Sequence, residues 1–260
     1  MANGDKVSWL NIADEASSSL LASKVNECSV MTQWSLPQAC KAMEQAFQEW
    51  TLPKRIKIDN GLPFVNSKAR NNPTLPILWW VGMGIEVIQN TPRRPQENGI
   101  VENLQGTTYR WVHPASYDNT QDLQRANDEI SRRQREVYRI RRKEDKTRKE
   151  LYPQLDDCPR PYDRTNFCIE KVHQYLSAYV WHRKVEAGGG IKLFGQYFPV
   201  GSKWKGQEVS IILDPAINHW IIALASDGTQ LNMIPNTIFT QEKIFHGIGF
   251  DNQGGYLYVV

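Results

Sequence analysis

Long apolar runs are missing from this chain of 260 residues. No window approaches the roughly 20 consecutive apolar residues that a membrane-spanning helix requires, and residues 1–10 lack the basic-then-apolar pattern of a secretory signal. A soluble, cytoplasmic product without membrane partners is the expectation. Cysteine is scarce: Cys28, Cys40, Cys158 and Cys168 are scattered along the chain, with neither the close pairs of a zinc site nor the density of a disulfide scaffold. Reduced, structural thiols follow. His113, His173, His182, His219 and His246 show no metal-ligand spacing. Internal repeats and low-complexity segments are absent too. An excess of one charge sign is nearly lacking, since 31 Lys and Arg against 28 Asp and Glu leave a formal net charge of only +3, so composition alone does not mark the whole chain as a nucleic-acid binder.

Charge is nevertheless concentrated locally. The segment SRRQREVYRIRRKEDKTRKE, residues 131–150, gathers Arg132, Arg133, Arg135, Arg139, Arg141, Arg142 and Lys143, followed by Lys146, Arg148 and Lys149. A phosphate backbone is attracted to such a block whatever its base sequence. The acidic residues inside it, Glu136, Glu144, Asp145 and Glu150, leave open a plain solvated helix. Aromatic residues are plentiful, with nine Trp and ten Tyr, enough to fill real cores in one large or two modest domains.

The apolar pattern predicts strands at 7–14 and 20–25 joined as a hairpin. A helix is expected between Pro37 and Pro53 on the stripe Leu36, Ala39, Met43, Ala46 and Trp50. A short strand at 55–58, a helix at 75–83, a strand at 86–89 and a helix at 97–111 complete an α/β pattern. Residues 122–149 read as one long, solvated helix, and 167–180 as a shorter one. After Gly188-Gly189-Gly190, short strands at 191–194, 209–213 and 220–225, separated by frequent turn residues, predict a small antiparallel β-barrel.

Two acids stand out by context. Asp59 leaves the strand RIKI, and Glu102 lies in the helical segment QENGIVENLQG. A carboxylate at a strand end and another on a nearby helix can share a divalent cation, and such ions promote phosphodiester displacement. Taken alone, Asp59 is equally a turn cap in Asp-Asn-Gly, and Glu102 a solvated helix residue.

IDNGLPF, residues 58–64, resembles the D-N-G-x-x-F segment around the second catalytic Asp of retroviral integrases and bacterial insertion-sequence transposases. TPRRPQENGIVENLQG, residues 91–106, resembles that family's P-x-x-P-Q-x-N-G-x-V-E segment, whose last Glu is the third catalytic carboxylate and falls on Glu102. The spacing is somewhat longer than in retroviral integrases, with the extra residues at 67–73. WHRKVEAGGGIKLFGQYFPVG, residues 181–201, is similar to the start of the C-terminal barrel of integrase-like transposases.

The resemblance implies a ribonuclease H-like catalytic core at 1–114, a mixed sheet with flanking helices, then a basic helical connector at 115–186 and a β-barrel at 187–260. It implies DNA strand transfer in integration and transposition, with Asp59 and Glu102 holding Mg²⁺ or Mn²⁺. Asn60, Gly61, Gln96 and Asn98 would shape the active-site loop. Arg93, Arg94 and the arginines of 132–142 with Lys143 would contact DNA, both element ends and target. The family's first catalytic Asp lies on a strand before residues 7–14. Only Met1 and Ala2 precede the Asn3-Gly4-Asp5 turn, so a truncated copy is expected, with metal binding weakened, because neither Asp5 nor Asp14 has the family position. The alternatives are an inactive DNA-binding remnant, or a multimerisation module acting on a full-length transposase as a homo- or hetero-oligomer.

Overall fold

In a computed structural model of the chain, residues 1, 2, 4, 6–28, 34–65, 72–91 and 99–250 are described. The elements run β1 (Lys6–Asp14), β2 (Ser19–Cys28), α1 (Leu36–Glu49), β3 (Arg55–Ile58), α2 (Leu75–Gly82), β4 (Glu86–Gln89), α3 (Gly99–Trp111), α4 (Thr120–Glu136), α5 (Arg148–Leu151), α6 (Ile169–Ser177), β5 (Trp181–Lys184), β6 (Gly190–Leu193), β7 (Gln196–Pro199), β8 (Glu208–Asp214), β9 (His219–Leu224), β10 (Gln230–Pro235) and α7 (Gln241–Gly247). This is a mixed α/β chain in two compact units. Unit 1 comprises Met1–Val65 and Ile88–Asp163, and unit 2 comprises Asn66–Val87 and Arg164–Val260.

Unit 1 opens with the antiparallel β1–β2 hairpin. Its register runs from Lys6 opposite Cys28 to Asp14 opposite Ser19, with an irregularity at Ile12/Ala13. Asp14 fixes the connection, since its Oδ2 accepts from the Ser17 backbone N–H at 2.8 Å and the Ser17 hydroxyl at 2.6 Å. α1 starts on a reciprocal capping box between Ser35 and Gln38 with Pro37 in its first turn, which satisfies N–H groups that a helix start leaves unpaired. Ala39, Cys40, Met43, Ala46 and Phe47 form its buried face. Burial pushes the Cys40 thiol far above its usual range, so this cysteine is an inert packing group.

Residues 122–149, expected as one helix, are not one. α4 stops at Glu136 with Val137 as its C-cap. The chain then makes a tight turn closed by an Ile140–Lys146 bridge, in which Glu144 and Asp145 take left-handed φ values of 56° and 54°. Thr147 and Glu150 form a fresh capping box that starts α5. Val137, Tyr138 and Ile140 are weak helix formers, whereas Thr147 and Glu150 gain two hydrogen bonds by starting a new helix. Nor is α4 merely solvated: Leu123, Asn127, Ser131 and Gln134 are buried along one face.

That face lies on the outer edge of β2, where amide side chains take the place of a strand. Gln124 accepts from the Val25 N–H at 2.8 Å and donates to the Ser23 carbonyl at 2.9 Å. Gln134 accepts from the Leu20 N–H at 3.1 Å and donates to the Ser18 carbonyl at 3.1 Å. An open strand edge invites pairing with other chains, and α4 closes this one.

In unit 2, α2 buries Ile77, Leu78, Trp79 and Trp80. Phe167 fits against Gly82, where an added Cβ would lie 2.1 Å from the Phe167 ring. For the strands expected to close as a barrel, no closed ring of pairings is found among the described residues. They make a four-stranded antiparallel sheet in the order β10-β9-β8-β5 and a separate β6–β7 hairpin. Trp181, Val209, Ile211, Leu213, Trp220, Ile222 and Leu224 alternate onto the buried face of the sheet. Each such side chain contributes roughly 1.5–3 kcal/mol of apolar burial.

Candidate nucleic-acid interface and carboxylate pair

β3 delivers Asp59 to the surface directly after its last residue, Ile58. The Asp59 Oδ1 accepts the Gly61 N–H at 3.1 Å, and a Cβ at Gly61 would come within 3.2 Å of that oxygen. A side chain at the third position of the Asp-Asn-Gly turn would therefore crowd the carboxylate and shift it by a few tenths of an ångström. Asn60 ties the turn to the chain after β4 by donating to the Asn90 carbonyl at 2.8 Å, while the Asn90 N–H reaches the Ile58 carbonyl at 2.9 Å. Asn60 and Gly61 therefore hold Asp59 in place.

Glu102 sits in the first turn of α3 and is exposed. Helix periodicity puts it on the side away from buried Leu104 and Thr108, and its charge suits the positive end of the helix dipole. Among the described residues no group of three or more His, Cys, Asp or Glu side chains is placed to hold a metal ion. The hard oxygen donors of Asp59 and Glu102 match Mg²⁺ or Mn²⁺ in chemistry, but two carboxylates do not make a complete centre. Asp14 is engaged with Ser17. Arg93, Arg94, Gln96, Asn98, Asn3 and Asp5 lie outside the described residues.

The basic segment divides into two electrostatic groups. Arg132 pairs with Glu129 at 2.9 Å and Glu136 at 3.0 Å, and Arg133 with Glu129 at 2.7 Å. Hydrogen bonds from Arg132 and then Arg133 hold the Glu129 carboxyl down at about 2. Arg135 turns inward, donating to the Leu20 carbonyl at 2.6 Å with its guanidinium 4.6 Å from the Trp50 ring centre; burial lowers its pKa. Arg139 donates to the Asp145 carbonyl at 2.7 Å and lies 3.8 Å from Glu150, which braces the turn.

Arg141, Arg142 and Lys143 form the second group. They are exposed on the turn, and among the described residues their side chains make no ion pair or hydrogen bond. The turn beneath them is closed by backbone bonds from the Ile140 N–H to the Lys146 carbonyl and from the Lys143 N–H to the Ile140 carbonyl, each 2.8 Å. Three unpaired cations on a braced turn are suited to phosphate contact. A count of basic residues misses this division, because Glu129 and Glu136 lie one helical turn from the arginines they occupy.

No protein-family model and no curated protein matches the sequence. Among solved structures, the chain is similar to one described as a cryo-EM structure of the simian T-cell lymphotropic virus intasome in complex with PP2A regulatory subunit B56 gamma. The TM-score is 0.37 at 15% identity, over 89% of this chain and 75% of that one.

Proposed function

We propose that the chain is a DNA-processing protein of the transposase and integrase type. It would have a ribonuclease H-like core that offers Asp59 and Glu102 as two ligands of a Mg²⁺ or Mn²⁺ site, and a basic turn that holds DNA. The reading is carried by the two motif segments in their order in the sequence: IDNGLPF begins at the last residue of β3, the residues GIVE of the second segment open α3, and both acids face solvent. A cation held there would supply charge stabilisation for in-line attack of water or a DNA 3′-hydroxyl on a phosphodiester. The protein's own part is positioning: Asn60 and Gly61 fix Asp59, α3 fixes Glu102, and Arg141, Arg142 and Lys143 retain the phosphate backbone.

The test is Mn²⁺- or Mg²⁺-dependent nicking and strand transfer on mobile-element end DNA, with Asp59→Asn and Glu102→Gln beside the parent chain. Activity abolished by either substitution supports the enzyme. Cleavage that survives both assigns the chemistry elsewhere.

A second reading is a DNA-holding protein without strand cleavage, acting alone or with a complete transposase as an oligomer. It is favoured by the Asp59 carboxylate being engaged with the Gly61 N–H. DNA retention without cleavage in the parent chain, lost in the triple variant Arg141→Ala/Arg142→Ala/Lys143→Ala, selects it. Absence of any DNA retention would sink both readings.

A further inference from the structure

Trp111 closes α3, and Tyr138 follows the end of α4. Their rings meet with centroids 4.3 Å apart and planes 34° from parallel. Both stay in contact with solvent, Trp111 at 42% and Tyr138 at 36%. Of the nine tryptophans, Trp111 alone is exposed, whereas Trp79, Trp80, Trp181 and Trp220 are fully buried. Neighbouring Val137 is also exposed. A ring pair that completes no core leaves aromatic faces open on the surface, and such exposed apolar groups mark interaction sites when they cluster.

The charges around the pair indicate what those faces meet. The Tyr138 backbone N–H donates to the Arg133 carbonyl at 2.9 Å, which ties the ring to the basic end of α4. A few residues further on, the braced turn carries Arg141, Arg142 and Lys143, which have no anionic partner among the described residues. Aromatic faces beside unpaired cations are the two elements that recognise a single strand: bases stack on rings, and phosphates follow the charge. In a duplex the base faces are already stacked on one another, so duplex DNA can use the cations alone.

We propose that Trp111 and Tyr138 form a stacking platform for unpaired bases of single-stranded DNA, with the adjoining phosphates on Arg141, Arg142 and Lys143. This rests on the DNA-holding reading above and specifies the form of DNA that is held. A strand-transfer protein meets unpaired nucleotides wherever an end is opened or a flank is cut.

The experiment measures binding of the full chain to three labelled probes by fluorescence anisotropy: an oligo-deoxythymidylate, the same strand with abasic sites in place of bases, and a duplex of equal length. The parent chain binds oligo-deoxythymidylate more tightly than either of the others. Trp111→Ala and Tyr138→Ala each weaken that binding about tenfold and leave the abasic and duplex probes unchanged. Trp111→Phe and Tyr138→Phe keep most of the affinity, because a stacking face remains. The triple variant of the turn weakens all three probes. Aromatic substitutions that affect all three probes equally, or none, overturn the platform, as does a parent chain that prefers duplex. Loss of all three probes in the turn variant, with no effect of the aromatic ones, preserves the DNA-holding reading while removing this inference. A parent chain that binds none of the probes removes both.

Discussion

The side-chain amide of Gln134 accepts the backbone N–H of Leu20 at 3.1 Å, across 114 positions of sequence. Both residues are buried, so water is a poor substitute for either partner. Gln134 also donates to the Ser18 carbonyl, but that oxygen has a second donor in Arg148 at 3.0 Å. Gln134→Ala therefore strands chiefly the Leu20 N–H, and urea unfolding should show a loss of about 1–3 kcal/mol, the cost of an unsatisfied buried donor. Little or no change would mean that α4 covers the β2 edge by packing alone.

Gly82 and Phe167 set a second, steric constraint. A methyl group at Gly82 would lie 2.1 Å from one ring atom and 2.6 Å from two more, while the Cys168 N–H holds the neighbouring backbone to the Gly82 carbonyl at 3.0 Å. The ring cannot withdraw easily, because Phe167 is buried and packs on Phe245 at 4.9 Å between centroids. Gly82→Ala should lower the thermal midpoint despite its better helix propensity, by an overpacking cost of about 1–3 kcal/mol. A stabilised variant would show that propensity outweighs the contact.

Asn236 is a buried junction in unit 2. Its Oδ1 accepts from Trp220 Nε1 at 3.2 Å and from the Ile238 and Phe239 N–H groups at 3.3 Å, and its Nδ2 donates to Asn218 at 2.9 Å. His173 Nε2 lies 3.2 Å from the same Nδ2 and 3.1 Å from the Phe239 carbonyl. Asn236→Ala leaves the Trp220 N–H without its acceptor in a buried site, for a loss of about 1–3 kcal/mol. Differential scanning calorimetry measures it, and an unchanged midpoint would show that water enters the gap.

The elements legible in sequence were those with strong local signals. Proline and the 3–4 spacing of Leu36, Ala39, Met43 and Ala46 marked α1. The end of α4 was missed although Thr147 and Glu150 spell a capping box, because the dense charge around them hid it. Amide-to-edge bonding by Gln124 and Gln134 leaves no trace in hydropathy. Alternating apolar residues marked strands in the second unit, and the frequent turns between them pointed to a barrel, but neither signal encodes which strands pair. The Trp111–Tyr138 pair joins two elements and has no signature in spacing.

Glu129 governs how much of the basic segment is available to DNA. Hydrogen bonds from Arg132 first and Arg133 second hold its carboxyl at about 2 instead of 4.5. A carboxyl depressed on folding favours the folded state above its unfolded pKa, and that contribution is lost as pH falls from 4.5 towards 2. The carboxyl is half-exposed, so the pairs are weak and screened by salt, and their main effect is to occupy two guanidinium groups. Carbon-detected NMR should find Glu129 still ionised at pH 4. Glu129→Gln should release Arg133, and Arg132 in part because Glu136 still holds it at 3.0 Å. Duplex affinity then rises, and the dependence of log K on log salt steepens by up to about 0.9 for each added phosphate contact. An unchanged salt slope would mean that neither guanidinium reaches the phosphates, confining DNA contact in this segment to Arg141, Arg142 and Lys143.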